Sequence, residues 1–211
     1  MKRLLFAIFI SGLLVQCSDD TSDEEVIDLG YGFFPLEVGM YITYKADSIY
    51  HDQPLASIPG IHDTSSYFIK EVYESLFLDA EDKESMRIVR YKKDSLQHAW
   101  QLTDVWYARL NATNAERVEE DLRYIKLGFP ISQFSSWDSN ALNVLDEWES
   151  EYDSLNVART FGDLDFLNTI RVNQHKFRTE INDELAYEIY AKEVGLVKRF
   201  YKVLYTRPAF I

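Results

Sequence analysis

Apolar and polar residues alternate with a period of two in run after run of this chain, and that pattern limits its fold more than any other feature. Met40, Ile42, Tyr44 and Ala46 alternate with Tyr41, Thr43, Lys45 and Asp47. Side chains two apart share a face of a strand, so this segment buries one face and wets the other. Tyr67 to Leu78 is rich in aromatic and β-branched residues, and the acidic turn Asp79-Ala80-Glu81-Asp82-Lys83 follows it. Met86 to Tyr91 is a further strand. Leu102, Trp106, Ala108 and Leu110 share a face of the next, which ends at the turn Asn111-Ala112-Thr113-Asn114. Polar turn residues between such runs are the mark of hairpins.

The second half repeats the theme. Val118, Leu122 and Tyr124 are opposed by Arg117, Glu119, Asp121 and Arg123; this reads as one strand, although Val118, Leu122 and Ile125 also fit helical spacing. Pro130 and Ser135 to Asn140 form a longer connection. Trp148 and Tyr152 share a face whose reverse carries Glu147, Glu149 and Glu151. Leu164, Phe166, Ile170 and Val172 make another apolar face, and Tyr187, Ile189 and Ala191 another, set against Glu188 and Lys192. A tight turn at Glu193-Val194-Gly195 leads into Leu196 to Tyr205. Apolar on both faces, that last strand is expected to be central in its sheet.

Eight to ten strands joined mostly by short turns, without alternating long helices, define an antiparallel all-β protein. A sheet that wide curls or closes. The expected fold is a single, strongly curved antiparallel sheet, a barrel or half-barrel, with at most one short helix. No period of twenty to fifty residues repeats, which excludes solenoids and propellers. Charges on both strand faces argue against a transmembrane barrel.

Lys and Arg number 22 against 35 Asp and Glu, a formal charge of −13. Nucleic-acid binding depends on neutralising phosphates with cations, so this balance excludes it as a function class. The histidines, His51, His62, His98 and His175, are scattered, and no metal or cofactor site is expected from them. No Gly-x-Ser-x-Gly or Ser-x-x-Lys arrangement supplies a nucleophile, and Gly30-Tyr31-Gly32 is too short to cradle phosphate. No catalytic residue is assigned.

The N-terminus carries an address. Met1-Lys2-Arg3 is basic, Leu4 to Val15 is apolar and uncharged, and Leu14-Val15-Gln16-Cys17 precedes the acidic tract Ser18 to Glu25. A charged start and a short apolar run make a secretory signal, and about a dozen apolar residues fall short of the ~20 that span a bilayer. The tetrad at 14–17 resembles a lipoprotein cleavage box, with Gln16 where a small residue is usual. Cys17 is the one cysteine in the chain, so it has no internal disulfide partner. The expected organisation is a signal peptide over 1–16, a lipidated acidic tether over 17–30 and one β-rich domain over 31–211.

Phe34-Pro35-Leu36-Glu37-Val38-Gly39 near the start and Tyr190-Ala191-Lys192-Glu193-Val194-Gly195-Leu196-Val197-Lys198-Arg199 near the end resemble Bacteroidetes-type envelope lipoproteins. The acidic tract after Cys17 is similar to the export signal of their surface-directed members. The resemblance implies an outer-membrane lipoprotein held by acyl chains such as palmitate on Cys17, surface-exposed if the export signal acts. It brings no activity and no functional residues. Asp47-Ser48-Ile49, Asp94-Ser95-Leu96 and Asp153-Ser154-Leu155 resemble the short O-glycosylation motif of exported proteins of that group, making Ser48, Ser95 and Ser154 candidate acceptors.

The first functional expectation is a non-enzymatic binding or assembly role beside another envelope protein. A carrier of a lipid or other apolar ligand in a concave sheet face is the alternative. A glycan hydrolase working through paired carboxylates is a weaker third.

Overall fold

The computed structural model describes residues 27–54 and 59–206. Cys17, the expected signal peptide and the acidic tract lie outside those residues.

The chain forms a short 3₁₀ turn, Tyr31–Phe33, and then eleven strands. The first six are β1 (Tyr41–Asp52), β2 (Ile61–Leu78), β3 (Glu84–Lys93), β4 (Gln101–Leu110), β5 (Asn114–Glu119) and β6 (Leu122–Gly128). The rest are β7 (Ser136–Asp138), β8 (Glu149–Phe161), β9 (Leu164–Arg178), β10 (Asn182–Ala191) and β11 (Gly195–Tyr205). All pairings are antiparallel and join neighbours in sequence. The all-β antiparallel architecture expected from the alternation is the one observed. Its strands divide between a six-stranded sheet, β1 to β6 in order, and a five-stranded sheet ordered β11-β10-β9-β8-β7.

The six-stranded sheet curls around a core shared with its partner. Trp106 and Ala108 of β4 and Met86 and Ile88 of β3 pack with Tyr152, Ile170, Val172 and Tyr190 from the other sheet. Each fully buried large apolar side chain contributes roughly 1.5–3 kcal/mol of transfer free energy. Phe33 and Phe34, delivered by the 3₁₀ turn, plug one end of this core. The chain enters the plug through Gly30 at φ 93°, where a Cβ would stand 2.5 Å from Ile131 Cδ1. The glycine pair at 30 and 32 is therefore a packing device. Phe129–Pro130 is a cis peptide.

Several expectations need correcting. The tether does not run free to residue 30. Asp28 accepts hydrogen bonds from Lys192 Nζ at 2.6 Å and from the Gly30 amide at 2.8 Å, and Leu29 O accepts one from the Ile131 amide. Residues 117–124 are not one strand. A turn at Glu120 and Asp121, φ 48° and 63°, splits them into β5 and β6. Paired positive φ angles give the twist that a two-residue hairpin needs. The last strand, β11, is an edge and not central. Its apolar residues are explained by position: Leu196 packs on the core, while Tyr201, Leu204 and Tyr205 are exposed. In β10 the face directed to the other sheet is Ala186, Glu188 and Tyr190, the reverse of the expected face, and Ile189 is buried as well.

Candidate functional site

The space between the sheets holds a chain of charges. β5 turns Arg117 and Glu119 inward, because Ala115 on the same face belongs to the core. Arg117 Nη2 lies 2.6 Å from Glu71 Oε2 of β2, and its Nε lies 3.5 Å from Glu119 Oε1. Glu71 also accepts from Arg90 Nε at 3.1 Å, and Arg90 donates to Asp104 at 3.2 Å. Arg90 lies over the Trp106 ring, 3.5 Å from its centroid.

The network crosses to the second sheet at Glu188, whose side chain is 1% exposed. Lys126 Nζ donates to Glu188 Oε1 at 2.8 Å and Arg199 Nε to the same oxygen at 2.7 Å, while Tyr190 Oη donates to Oε2 at 2.6 Å. Arg199 also donates to Glu119, at 3.0 Å through Nη2. Asp104, Glu71, Glu119 and Glu188 thus alternate with Arg90, Arg117, Arg199 and Lys126, and their formal charges cancel.

Burial pushes the Glu188 carboxyl toward its neutral form, but Lys126 and Arg199 outweigh it and bring it down to about 2. Glu119 feels the same contest and is held far below the usual carboxylate range by Lys126, Arg199 and Arg117. Burial likewise opposes the charge on Arg117, and Glu71 and Glu119 raise it above its ordinary value all the same. Burial and the neighbouring Glu188 carboxylate push the Tyr190 phenol well up. Glu119, Glu188 and Arg117 thus keep their charges, and Tyr190 its phenol proton, across the ordinary pH range.

Where the sheets part, this network floors a cavity of about 390 Å³. That falls within the ~300–1,000 Å³ range of ligand pockets. Lys126 and Glu188 lie at its base with Arg199 beside them; Tyr124 of β6, Gln174 of β9 and Tyr201 of β11 line its sides. The connection from β7 to β8 closes the last wall with Leu145 and Trp148. Asp138 fixes that connection, accepting from the amides of Asn140 at 2.8 Å and Trp148 at 2.9 Å. Asn143 ties it to β6 through Arg123 O at 2.9 Å, and Asn140 donates to Asp146 O at 2.6 Å. The Trp148 ring is backed by the His175 ring at 5.0 Å and 33°, and His175 Nε2 lies 2.9 Å from Glu184. The Tyr124 hydroxyl, the Gln174 carboxamide and the Trp148 indole N–H make no hydrogen bond among the described residues.

A second ionic cluster lies on the outer face of the six-stranded sheet. Arg109 donates to Glu116 at 2.7 Å, to Asp79 at 3.2 Å and to Glu81 at 2.9 Å, and Arg123 donates to Glu116 at 2.7 Å. Asp79 also closes the turn after β2 by accepting from the amides of Glu81 and Lys83. This cluster ties the turn after β2 to β4, β5 and β6.

The residues singled out in the sequence fall in separate places. Ser48 is exposed on β1. Ser95 is half-buried in the turn after β3, where its carbonyl accepts from the His98 amide. Ser154 is half-buried on β8 and accepts from Arg159 at 2.8 Å. Glu147, Glu149 and Glu151 are exposed. His51 and His62, remote in sequence, face each other across β1 and β2 with ring centroids 5.5 Å apart. Their placement on either side of the turn residues Pro54, Pro59 and Gly60 was the available signal. No group of three or more His, Cys, Asp or Glu among the described residues is arranged to hold a metal ion. No helix among those residues is long and apolar enough to cross a membrane.

Compared with family models, with curated proteins and with solved structures, the chain finds no match in any of the three.

Proposed function

We propose that this chain is a non-enzymatic binding module of the cell envelope, anchored to the outer membrane through lipid on Cys17, with its binding site in the cavity between the sheets. One observation carries the reading. The charged groups of the cavity are satisfied by one another, whereas Tyr124, Gln174 and Trp148 around them have hydrogen-bonding capacity left over. Unused polar groups set among aromatic walls are the usual furnishing of a ligand pocket.

The other expectations find less support. A glycan hydrolase needs one carboxyl that holds a proton and another that does not. Glu119 and Glu188, the acids on the cavity, are both held ionised by the same cations. A lipid carrier has the mostly apolar lining it needs, but an acyl chain there would leave the Tyr124 hydroxyl, the Gln174 carboxamide and the Trp148 indole N–H covered without partners.

Docking to an envelope protein is favoured by a different feature. Residues 47–51 of β1 and 61–66 of β2 are exposed on both faces, so this hairpin end projects as an arm bearing Ile49, Tyr50 and Ile61.

Native mass spectrometry of the protein, purified under mild conditions from its own envelope, tests the principal reading. A reproducible non-protein mass that disappears with Trp148→Ala is expected. A clean apo mass, with crosslinks in intact cells running from Tyr50 to another protein, would replace the cavity with the arm.

A further inference from the structure

The cavity also indicates what it takes. We infer that it binds a neutral saccharide of one or two rings, an inference that rests on the cavity being the binding site. Three properties of the wall point there. The first is charge: the floor is ionic, yet each cation is matched by a carboxylate, Lys126 and Arg199 both resting on Glu188 at 2.8 and 2.7 Å. A charged ligand would find no uncompensated counter-ion and would lose its own hydration.

The second property is a small set of polar groups in a mostly apolar wall. Tyr124 offers a hydroxyl, Gln174 both a donor and an acceptor, and Trp148 a donor, all without partners among the described residues. A hydroxyl both donates and accepts, as does a carboxamide, so a ring bearing several hydroxyls can satisfy this set where an acyl chain or an aromatic hydrocarbon cannot.

The third is a rigid aromatic plane. Trp148 is held by the His175 ring packed against it at 5.0 Å and a 33° tilt, by the His175–Glu184 contact at 2.9 Å and by its own backbone amide on Asp138. An aromatic side chain held before the ligand arrives gives large contact area at little entropic cost. The C–H faces of a pyranose suit such a plane, and its hydroxyl edge suits the polar groups. Tyr201, 69% exposed on the opposite wall, provides a second ring at the mouth.

Calorimetric titration of the full chain with neutral mono- and disaccharides (N-acetylglucosamine, mannose, galactose, maltose) tests this, with glucuronate and the neutral apolar probe N-phenylnaphthylamine alongside. At least one neutral sugar is expected to bind, and glucuronate at least tenfold more weakly than that sugar. Trp148→Ala should weaken sugar binding tenfold or more. Tyr124→Phe and Gln174→Ala should weaken it several-fold, with unchanged thermal melting showing that these smaller changes leave the fold intact. If the apolar probe binds in a Trp148-dependent way and no sugar does, the saccharide inference is overturned while the cavity remains the binding site. If no probe shows dependence on Trp148, Tyr124 or Gln174, both the inference and the cavity as a binding site fail.

Discussion

Lys126 of the first sheet and Glu188 of the second meet at 2.8 Å, both almost wholly buried. This contact ties the sheets through a carboxylate that also receives Arg199 and Tyr190. Glu188→Ala leaves Lys126 and Arg199 with Glu119 alone to balance their two positive charges. Breaking one partner of a buried pair costs about 3–5 kcal/mol, so urea denaturation should show a loss of that order. Lys126→Met combined with Glu188→Leu should recover a substantial part of it. A single variant within 1 kcal/mol of the parent would show that the contact carries no weight.

The same pair sets a response to acid. Glu188 is brought from the ordinary glutamate value of 4.5 down to about 2 in the folded protein, and Glu119 is lowered as well. A depressed carboxyl binds its proton more readily in the unfolded chain, so its contribution is complete above about pH 4.5 and declines as pH falls toward 2. Unfolding midpoints measured from pH 7 to pH 2 should be flat at first and then drop steeply below 4.5. Glu119→Gln with Glu188→Gln should start lower and fall less.

Tyr152 is fully buried, and its hydroxyl donates to Gly128 O at 2.8 Å. Tyr152→Phe removes one hydrogen bond and leaves that carbonyl oxygen short of a donor, which costs about 1–3 kcal/mol. Tyr152→Ala opens the core beside Trp137 and should cost about 3–5 kcal/mol. Chemical denaturation of the two variants separates the hydroxyl from the ring.

The β5–β6 turn uses Glu120 and Asp121 at positive φ, a conformation that Asn-Gly adopts with less strain. Glu120→Asn with Asp121→Gly should raise stability by about 0.5–1 kcal/mol, in line with other turn optimisations. Because Glu120 also accepts from Trp106 Nε1 at 3.3 Å, Asp121→Gly alone is the cleaner comparison. A lower melting temperature for Asp121→Gly would contradict the turn argument.

Lipid on Cys17 predicts that Cys17→Ser moves the protein from the membrane pellet to the soluble fraction and removes incorporation of labelled palmitate. A variant that stays in the pellet through carbonate washing would overturn the anchor.

Much of the strand pattern could be read from local sequence, and the site could not. In β1, Ile42, Tyr44 and Ala46 are the less exposed face, as their alternation with Tyr41, Thr43, Lys45 and Asp47 implies. Glu193-Val194-Gly195 turns as expected, with Gly195 at φ 91°. The same rule of polar-outward misplaces Arg117, Glu119 and Glu188. Their burial depends on partners in other strands: Glu71 for Arg117, Lys126 and Arg199 for Glu188. An alternation pattern records which residues share a face and not which face is dry. The roles of Trp148, Gln174 and Tyr124 were equally hidden, since the cavity joins β5, β6, β9, β10, β11 and the β7–β8 connection, which local pattern treats one at a time.

The order of the strands has a consequence for how the molecule comes to exist. In each sheet every strand bonds only to its neighbours along the chain, β1 through β6 and then β7 through β11. A chain emerging from its N-terminus can therefore zip each new strand onto the one just before it, without holding an edge open for a strand still to come. Assembly from sequence-local pairings is the faster route for a β protein. It also shortens the time in which a bare strand edge can capture another chain. What must wait is the joining of the sheets: Lys126 is in place long before Glu188 and Arg199 arrive to neutralise it.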